Sequence, residues 1–143
     1  MFVLVKTSNP SSAEIQDLAA SSRPIHEHVA DLVERWGASC RGLSGYSAVG
    51  AVVGATFPEA AARLRATMPH SIMLLPGYGA QGAAADDCRF AFDEDGRGAI
   101  VNSSRGITGA FKENSPWERA IADAAGTMRA ELEAVRLRAP TAT

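Results

Sequence analysis

Two short segments carry the residues best suited to chemistry. Residues 76–82 read Pro-Gly-Tyr-Gly-Ala-Gln-Gly and residues 102–107 read Asn-Ser-Ser-Arg-Gly-Ile, each directly after a short apolar run. Glycines let backbone N–H groups approach an anion closely, the Gln81 amide adds a neutral donor, and the Arg105 guanidinium matches phosphate oxygens with two parallel hydrogen bonds. The pattern points to one phosphate site built from two strand ends, and so to a phosphorylated small molecule as ligand.

Other residue groups carry less specific signals. A lone arginine in a loop is by default solvated. Arg105, however, follows a strand, sits beside Gly106 and precedes a segment able to turn helical, so its side chain and nearby N–H groups can converge on one anion. Lys6-Thr7-Ser8-Asn9-Pro10 closes the first apolar run at the same end, though its composition is also that of a common turn. Gly77 to Gly82 is formally G-x-G-x-x-G, which raises a dinucleotide reading. The residues that follow, 83–88, lack the apolar periodicity of a well-formed helix, and the next strand ends without an acid, so that match is weak. His26 and His28 lie two apart in a helical pattern and do not share a face, which makes them poor metal partners. Both read as surface residues, and His70 as a loop residue.

These groups must be held by elements, and the chain alternates. Four runs rich in β-branched and aliphatic residues, 2–5, 49–53, 72–75 and 99–101, are separated by helical patterns over 11–20, 24–36, 58–67, 84–90 and 116–137. Such β-α alternation predicts a parallel sheet, and near-continuous apolar strands predict cover on both sheet faces. Pro58 suits a first helical turn, with Ala61, Leu64 and Met68 at core spacing. Ser115 before Pro116, with Glu118 three residues on, reads as an N-cap.

At 143 residues the chain is long enough for one domain, yet about a hundred residues short of an ordinary closed eight-stranded α/β barrel. Residues 1–143 read as a single domain with 138–143 a frayed tail. Lys+Arg 14 against Asp+Glu 16 gives no global field for nucleic acid or an anionic membrane. Lys6 and Lys112 are the only lysines, so amine chemistry has two candidates. Cys40 and Cys88 lack metal-ligand or Cys-x-x-Cys spacing and read as reduced thiols of a cytoplasmic protein. The first residues lack the basic start and long apolar stretch of a signal peptide, and no run approaches the roughly 18 residues of a membrane span.

Taken together, Lys6 to Pro10, Gly45 to Thr56, Pro76 to Gly82 and Asn102 to Ile107 resemble the orotidine 5'-phosphate decarboxylase family in order and spacing, most closely its bacterial subgroup. The likeness covers essentially residues 1–115. It implies an α/β fold that is half of a TIM (β/α)8 barrel, with four parallel strands alternating with helices. These would be strands 5–8 of the family fold, its C-terminal half.

By that resemblance Gln81 and Arg105 hold the substrate phosphate, assisted by backbone N–H groups around Gly79, Gly82, Ser104 and Arg105. Ser8 hydrogen-bonds the pyrimidine edge, and Pro76 forms apolar wall near the reacting carbon. The ligands would be orotidine 5'-monophosphate and uridine 5'-monophosphate, with no cofactor and no metal. The family's catalytic Asp-x-Lys-x-x-Asp array has no match: Lys6 has Leu4 and Asn9 at the acidic positions, and Lys112 has Ala110 and Ser115. The resemblance therefore implies no catalytic residue in this chain and three alternatives for the open barrel: an N-terminal half chain that completes a decarboxylase, a second copy that gives a noncatalytic phosphate-binding assembly, or a truncated fragment.

Overall fold

The computed structural model describes residues 1–112 and 116–138. In chain order the strands are β1 (Phe2–Lys6), β2 (Ala19–Ala20), β3 (Arg23–Pro24), β4 (Gly50–Val53), β5 (Met73–Leu75) and β6 (Ala99–Val101). The α-helices are α1 (Ala13–Gln16), α2 (Ile25–Gly37), α3 (Pro58–Thr67), α4 (Ala85–Cys88), α5 (Ser104–Ile107) and α6 (Trp117–Arg136). The four apolar runs become one sheet of order β1-β4-β5-β6, and all three pairings are parallel. Parallel neighbours need crossovers, and α2, α3 and α4 lie in those three connections.

Side chains alternate along the strands. Val5, Ala51, Val53, Met73 and Leu75 are buried in one core with Ala30 and Val33 of α2 and Ala60, Ala61 and Leu64 of α3. Burying side chains such as Leu64 and Met73 contributes roughly 2 to 3 kcal/mol each. The opposite face carries a row of cross-strand partners, Leu4, Val52, Leu74 and Ile100. There Leu4 is 64% and Ile100 48% exposed. Cover on both faces, expected from the unbroken apolar strands, is therefore present on one face only. A barrel wall has this form: its outer face packs on helices, and its inner face is filled only when the ring closes.

Local chemistry explains where the helices start. α3 begins at Pro58, whose fixed φ suits a first helical residue. In α2 the buried positions His26, Ala30, Val33 and Gly37 recur at helical spacing. The pattern over 11–20 does not make one helix: a 3-10 turn at Pro10–Ser12 leads into the single turn of α1, and residues 19–20 enter a hairpin. So short a segment cannot offset helix nucleation, and Ser21 and Ser22, at φ 49 and 69, reverse the chain. Likewise 84–90 splits into the short α4 and a 3-10 turn at Arg89–Ala91. Ser115, read as an N-cap, lies outside the described residues, as does the tail beyond Arg138; Pro116 flanks the start of α6. Among the described residues no helix is long and apolar enough to cross a membrane.

Candidate functional site

Because the four strands are parallel, the loops that leave β1, β4, β5 and β6 all emerge on one rim. In the loop after β5, Gly77, Gly79 and Gly82 take φ of 106, 70 and 95, a region where only glycine is unstrained. The loop is pinned from within and from outside. The Gly79 amide donates to Ala83 O at 2.8 Å and the Gly82 amide to Gly79 O at 2.9 Å. Ser103 Oγ, from the loop after β6, donates to Tyr78 O at 3.1 Å, and the Tyr78 hydroxyl reaches Glu131 of α6.

Gln81 and Arg105 come from these two loops, and both line one depression of about 210 Å³ together with Pro76, Asn102 and Ser104. Both side chains are exposed. The Gly79 and Gly82 amides, expected to assist in holding an anion, each donate inside the turn through the hydrogen bonds above. Ser104 and Arg105 differ, since they open α5 and first-turn amides have no acceptor within the helix.

Ser8 lies beside this loop. A Cβ placed on Gly54 would meet Ser8 Cα at 2.9 Å, and one on Gly77 would meet Ser8 Cβ at 3.3 Å. Glycine at both positions is what lets the loop after β1 wedge between the next two. Thr7 and Asn9 serve the loop itself: Thr7 Oγ1 donates to Asn9 Oδ1 at 2.6 Å, Asn9 Nδ2 to Ser11 Oγ at 2.9 Å, and the Thr7 amide to Gln16 Oε1 at 2.9 Å. The rim thus gathers Ser8, Pro76, Gln81 and Arg105.

Lys6 takes no part in the rim. The strand register shifts between Leu4 and Lys6, so that Lys6 lies opposite the buried Val53 on the helix side. Its side chain is 2% exposed, and Nζ donates to Asp17 Oδ1 at 2.7 Å and sits 4.3 Å from the Phe57 ring centre. The Lys6 hydrogen bond holds the Asp17 carboxyl below its ordinary value of 3.8. His26 belongs to the same cluster, and its reading as a surface residue is wrong: it is 3% exposed. Its Nδ1 lies 2.8 Å from Gln16 O and 3.1 Å from Asp17 Oδ1. The signal was present, since His26 falls four residues before Ala30 and seven before Val33, on the face that α2 buries. His28 is half-buried with Nε2 2.7 Å from Ala20 O, and His70 does lie in a turn, 2.9 Å from Glu34 Oε1.

The dinucleotide reading gains nothing, because the helix after Gly82 is the four-residue α4, which begins only at Ala85. Asn102 and Ser103, read from sequence only as part of the 102–107 motif, and Glu131, which sequence reasoning passed over, support the site: Ser103 and Glu131 fix the Tyr78 segment and Asn102 lines the depression.

No family model matches the chain. Curated relatives do. An orotidine 5'-phosphate decarboxylase of Rhodopirellula baltica is 48% identical over 141 residues, which is 93% of this chain and 47% of that protein. One of Caldicellulosiruptor bescii is 54% identical over 112 residues, covering 78% and 37%. Among solved structures, the OMP decarboxylase of Leishmania donovani superposes with a TM-score of 0.72 at 36% identity, over 94% of this chain and 47% of that one. The UMP synthase of the same organism gives 0.75 at 38% identity, over 94% and 27%. The chain spans less than half the length of these relatives. Sequence and fold agree: over the part that it spans, the chain belongs to the orotidine 5'-phosphate decarboxylase family.

Proposed function

We propose that this chain supplies the phosphate- and pyrimidine-binding part of an orotidine 5'-phosphate decarboxylase, the carboxy-lyase that converts orotidine 5'-monophosphate to uridine 5'-monophosphate. The observation that carries the reading is that Gln81 and Arg105, from two separate loops, line one depression at the strand ends. In this reading they grip the phosphate, the opening amides of α5 at Ser104 and Arg105 add donors, and Gly79 and Gly82 give the loop its shape. Ser8 meets the pyrimidine edge and Pro76 the apolar side of the ring. The chain corresponds to the C-terminal half of the barrel, its motifs are those of the bacterial subgroup, and its free Cys40 and Cys88 suit the cytoplasm.

Loss of carbon dioxide leaves a carbanion-like centre without an adjacent electron sink, so an ammonium flanked by carboxylates has to stabilise charge and protonate carbon. No Asp-x-Lys-x-x-Asp occurs in the sequence, and Lys6 is turned to the helix side and paired with Asp17. The array therefore comes from another polypeptide segment, while the phosphate grip supplies remote binding energy that orders it. The partner follows from the same geometry. β1 and β6 are open edges, and the Leu4, Val52, Leu74, Ile100 row needs cover.

An N-terminal half restores both wall and chemistry. A second copy, related by a two-fold along the barrel axis, closes the wall with all strands still parallel but brings no array; the missing array favours this as a second reading, a noncatalytic phosphate-binding barrel. The deciding experiment mixes the purified chain with an N-terminal half bearing the array and follows loss of orotidylate absorbance. Turnover in the mixture alone supports the decarboxylase reading. A closed but inactive mixture overturns it in favour of the noncatalytic one.

A further inference from the structure

The loop that carries Ser8 is tied shut at its base. Residues 7–16 leave β1, pass through the 3-10 turn and α1, and return at Asp17 to the residue they left, where Lys6 Nζ donates to Asp17 Oδ1 at 2.7 Å. One residue further in on each side, Thr7 and Gln16 pair reciprocally. The Thr7 amide donates to Gln16 Oε1 at 2.9 Å, and Gln16 Nε2 donates to Thr7 Oγ1 at 3.1 Å. From α2 the buried His26 braces the returning side, its Nδ1 2.8 Å from Gln16 O and 3.1 Å from Asp17 Oδ1. We infer that Lys6, Gln16 and Asp17 are positioning residues for the pyrimidine: they clamp the neck of this loop and so fix where Ser8 stands on the rim. The inference rests on the proposed role of Ser8 at the pyrimidine edge.

Strand register supplies the mechanism. Phe2, Val3 and Leu4 pair with Gly50, Ala51 and Val52, but the next residue of β4, Val53, lies opposite Lys6, so Val5 is an extra residue in β1. A bulge of this kind re-aims the side chains that follow and moves the chain by one place. Strict alternation after the buried Val5 would put Lys6 on the inner face, away from Asp17. The bulge delivers the amine to the helix side instead, where Asp17 and the Phe57 ring receive it. Lys6 O then accepts from the Gly54 amide at 2.6 Å, and Ser8 packs against the Cα positions of Gly54 and Gly77. In the unbroken register Gly54 would oppose Lys6, and Ser8 would fall beside Thr56.

Ser8 depends on this outside hold. Among the described residues its hydroxyl has no hydrogen-bond partner, which leaves the group open to a ligand and leaves its position to the backbone on either side. An ion pair with a buried member adds little net stability, because desolvation offsets the attraction, and an apolar side chain would fill the same space at least as well. The distinct contribution of the Lys6 and Asp17 pair is a single geometry, set at the root of the residue that meets the ligand.

The test is calorimetric titration of the full 143-residue chain and its variants with uridine 5'-monophosphate and with ribose 5-phosphate, which keeps the phosphate and lacks the base. Lys6→Met retains an apolar stem against Phe57 and removes the tie. It should weaken the nucleotide about tenfold, the order of one lost hydrogen bond, and leave ribose 5-phosphate within about twofold of the parent. Ser8→Ala should do the same, and the double variant should lose no more than Ser8→Ala alone, because both changes act through one contact. Lys6→Arg, which keeps a donor for Asp17, should restore most of the affinity. Gln16→Ala opens the neck while leaving the buried amine paired, and it should show the same base-selective loss even where Lys6→Met folds poorly. Losses shared equally by the two ligands, or additive losses in the double variant, would mark the neck as merely structural and overturn the inference. A loss in Ser8→Ala with none in Lys6→Met or Gln16→Ala would overturn it while the reading of Ser8 stands. Nucleotide binding indifferent to Ser8→Ala would overturn both.

Discussion

Gly77 shows how closely a single residue can control the rim. Its φ of 106 excludes a side chain at low cost, and an added Cβ would come 3.1 Å from Gln81 Oε1. Gly77→Ala should lower stability by about 1 kcal/mol and push Gln81 out of the depression. Nucleotide affinity should then fall by more than the stability loss explains, as calorimetry on the folded fraction would show. Asp17 makes a prediction about pH. Its folded-state value is depressed by Lys6, so its contribution is present above the ordinary carboxyl value and is lost as pH falls through the lowered one. Melting temperature scanned from about pH 7 down to about pH 3 should therefore decline less steeply in Asp17→Asn than in the parent. An unchanged acid limb would remove Asp17 from the account. Residue types in the glycine loop and around Arg105 were legible in the sequence because their chemistry is local. The Lys6 cluster was not: a one-residue register shift between Leu4 and Lys6 has no compositional mark, and it alone decides which face the amine joins.

At the scale of elements, Arg65 ties the end of α3 to the entries of β5 and β6. Its guanidinium, largely buried, donates to the carbonyls of Met68, Ser71, Ala91 and Gly98 at 2.7 to 3.0 Å. Burial lowers its pKa, but the carbonyl cage solvates the charge. Arg65→Met would remove all of these hydrogen bonds, though Met68 O and Gly98 O keep the amides of Ser71 and Met73 as donors, and should destabilise by about 3 kcal/mol, with Arg65→Lys intermediate, as read from urea midpoints. A loss below 0.5 kcal/mol, the order of an ordinary surface change, would refute the anchoring role. The four strands were readable because each is a short aliphatic run bounded by glycine or polar residues, and α3 because Pro58 marks its first turn. The hairpin of β2 and β3 was not readable. It depends on two serines in a left-handed conformation, which residue type does not announce. Arg65 was equally silent, since Gly98 lies 33 residues away in the chain.

For the whole molecule, the open face of the sheet sets behaviour in solution. Phe2, Leu4 and Ile100, at 44%, 64% and 48% exposure, are apolar residues that a closed barrel would cover. Leu4→Glu or Ile100→Lys should change the stability of the dilute chain by less than about 0.5 kcal/mol while abolishing association in sedimentation velocity. Association that persists in both variants would place the contact elsewhere. The central claim, however, is that Gln81 and Arg105 hold one phosphate group. The most direct measurement compares uridine 5'-monophosphate with uridine, by calorimetric titration of the parent chain, Gln81→Ala and Arg105→Ala. The account predicts that the phosphate is required, that Arg105→Ala weakens the nucleotide about 100-fold and Gln81→Ala about tenfold, and that uridine is insensitive to both. Equal binding of nucleotide and nucleoside, or nucleotide affinity undiminished in Arg105→Ala, would contradict it.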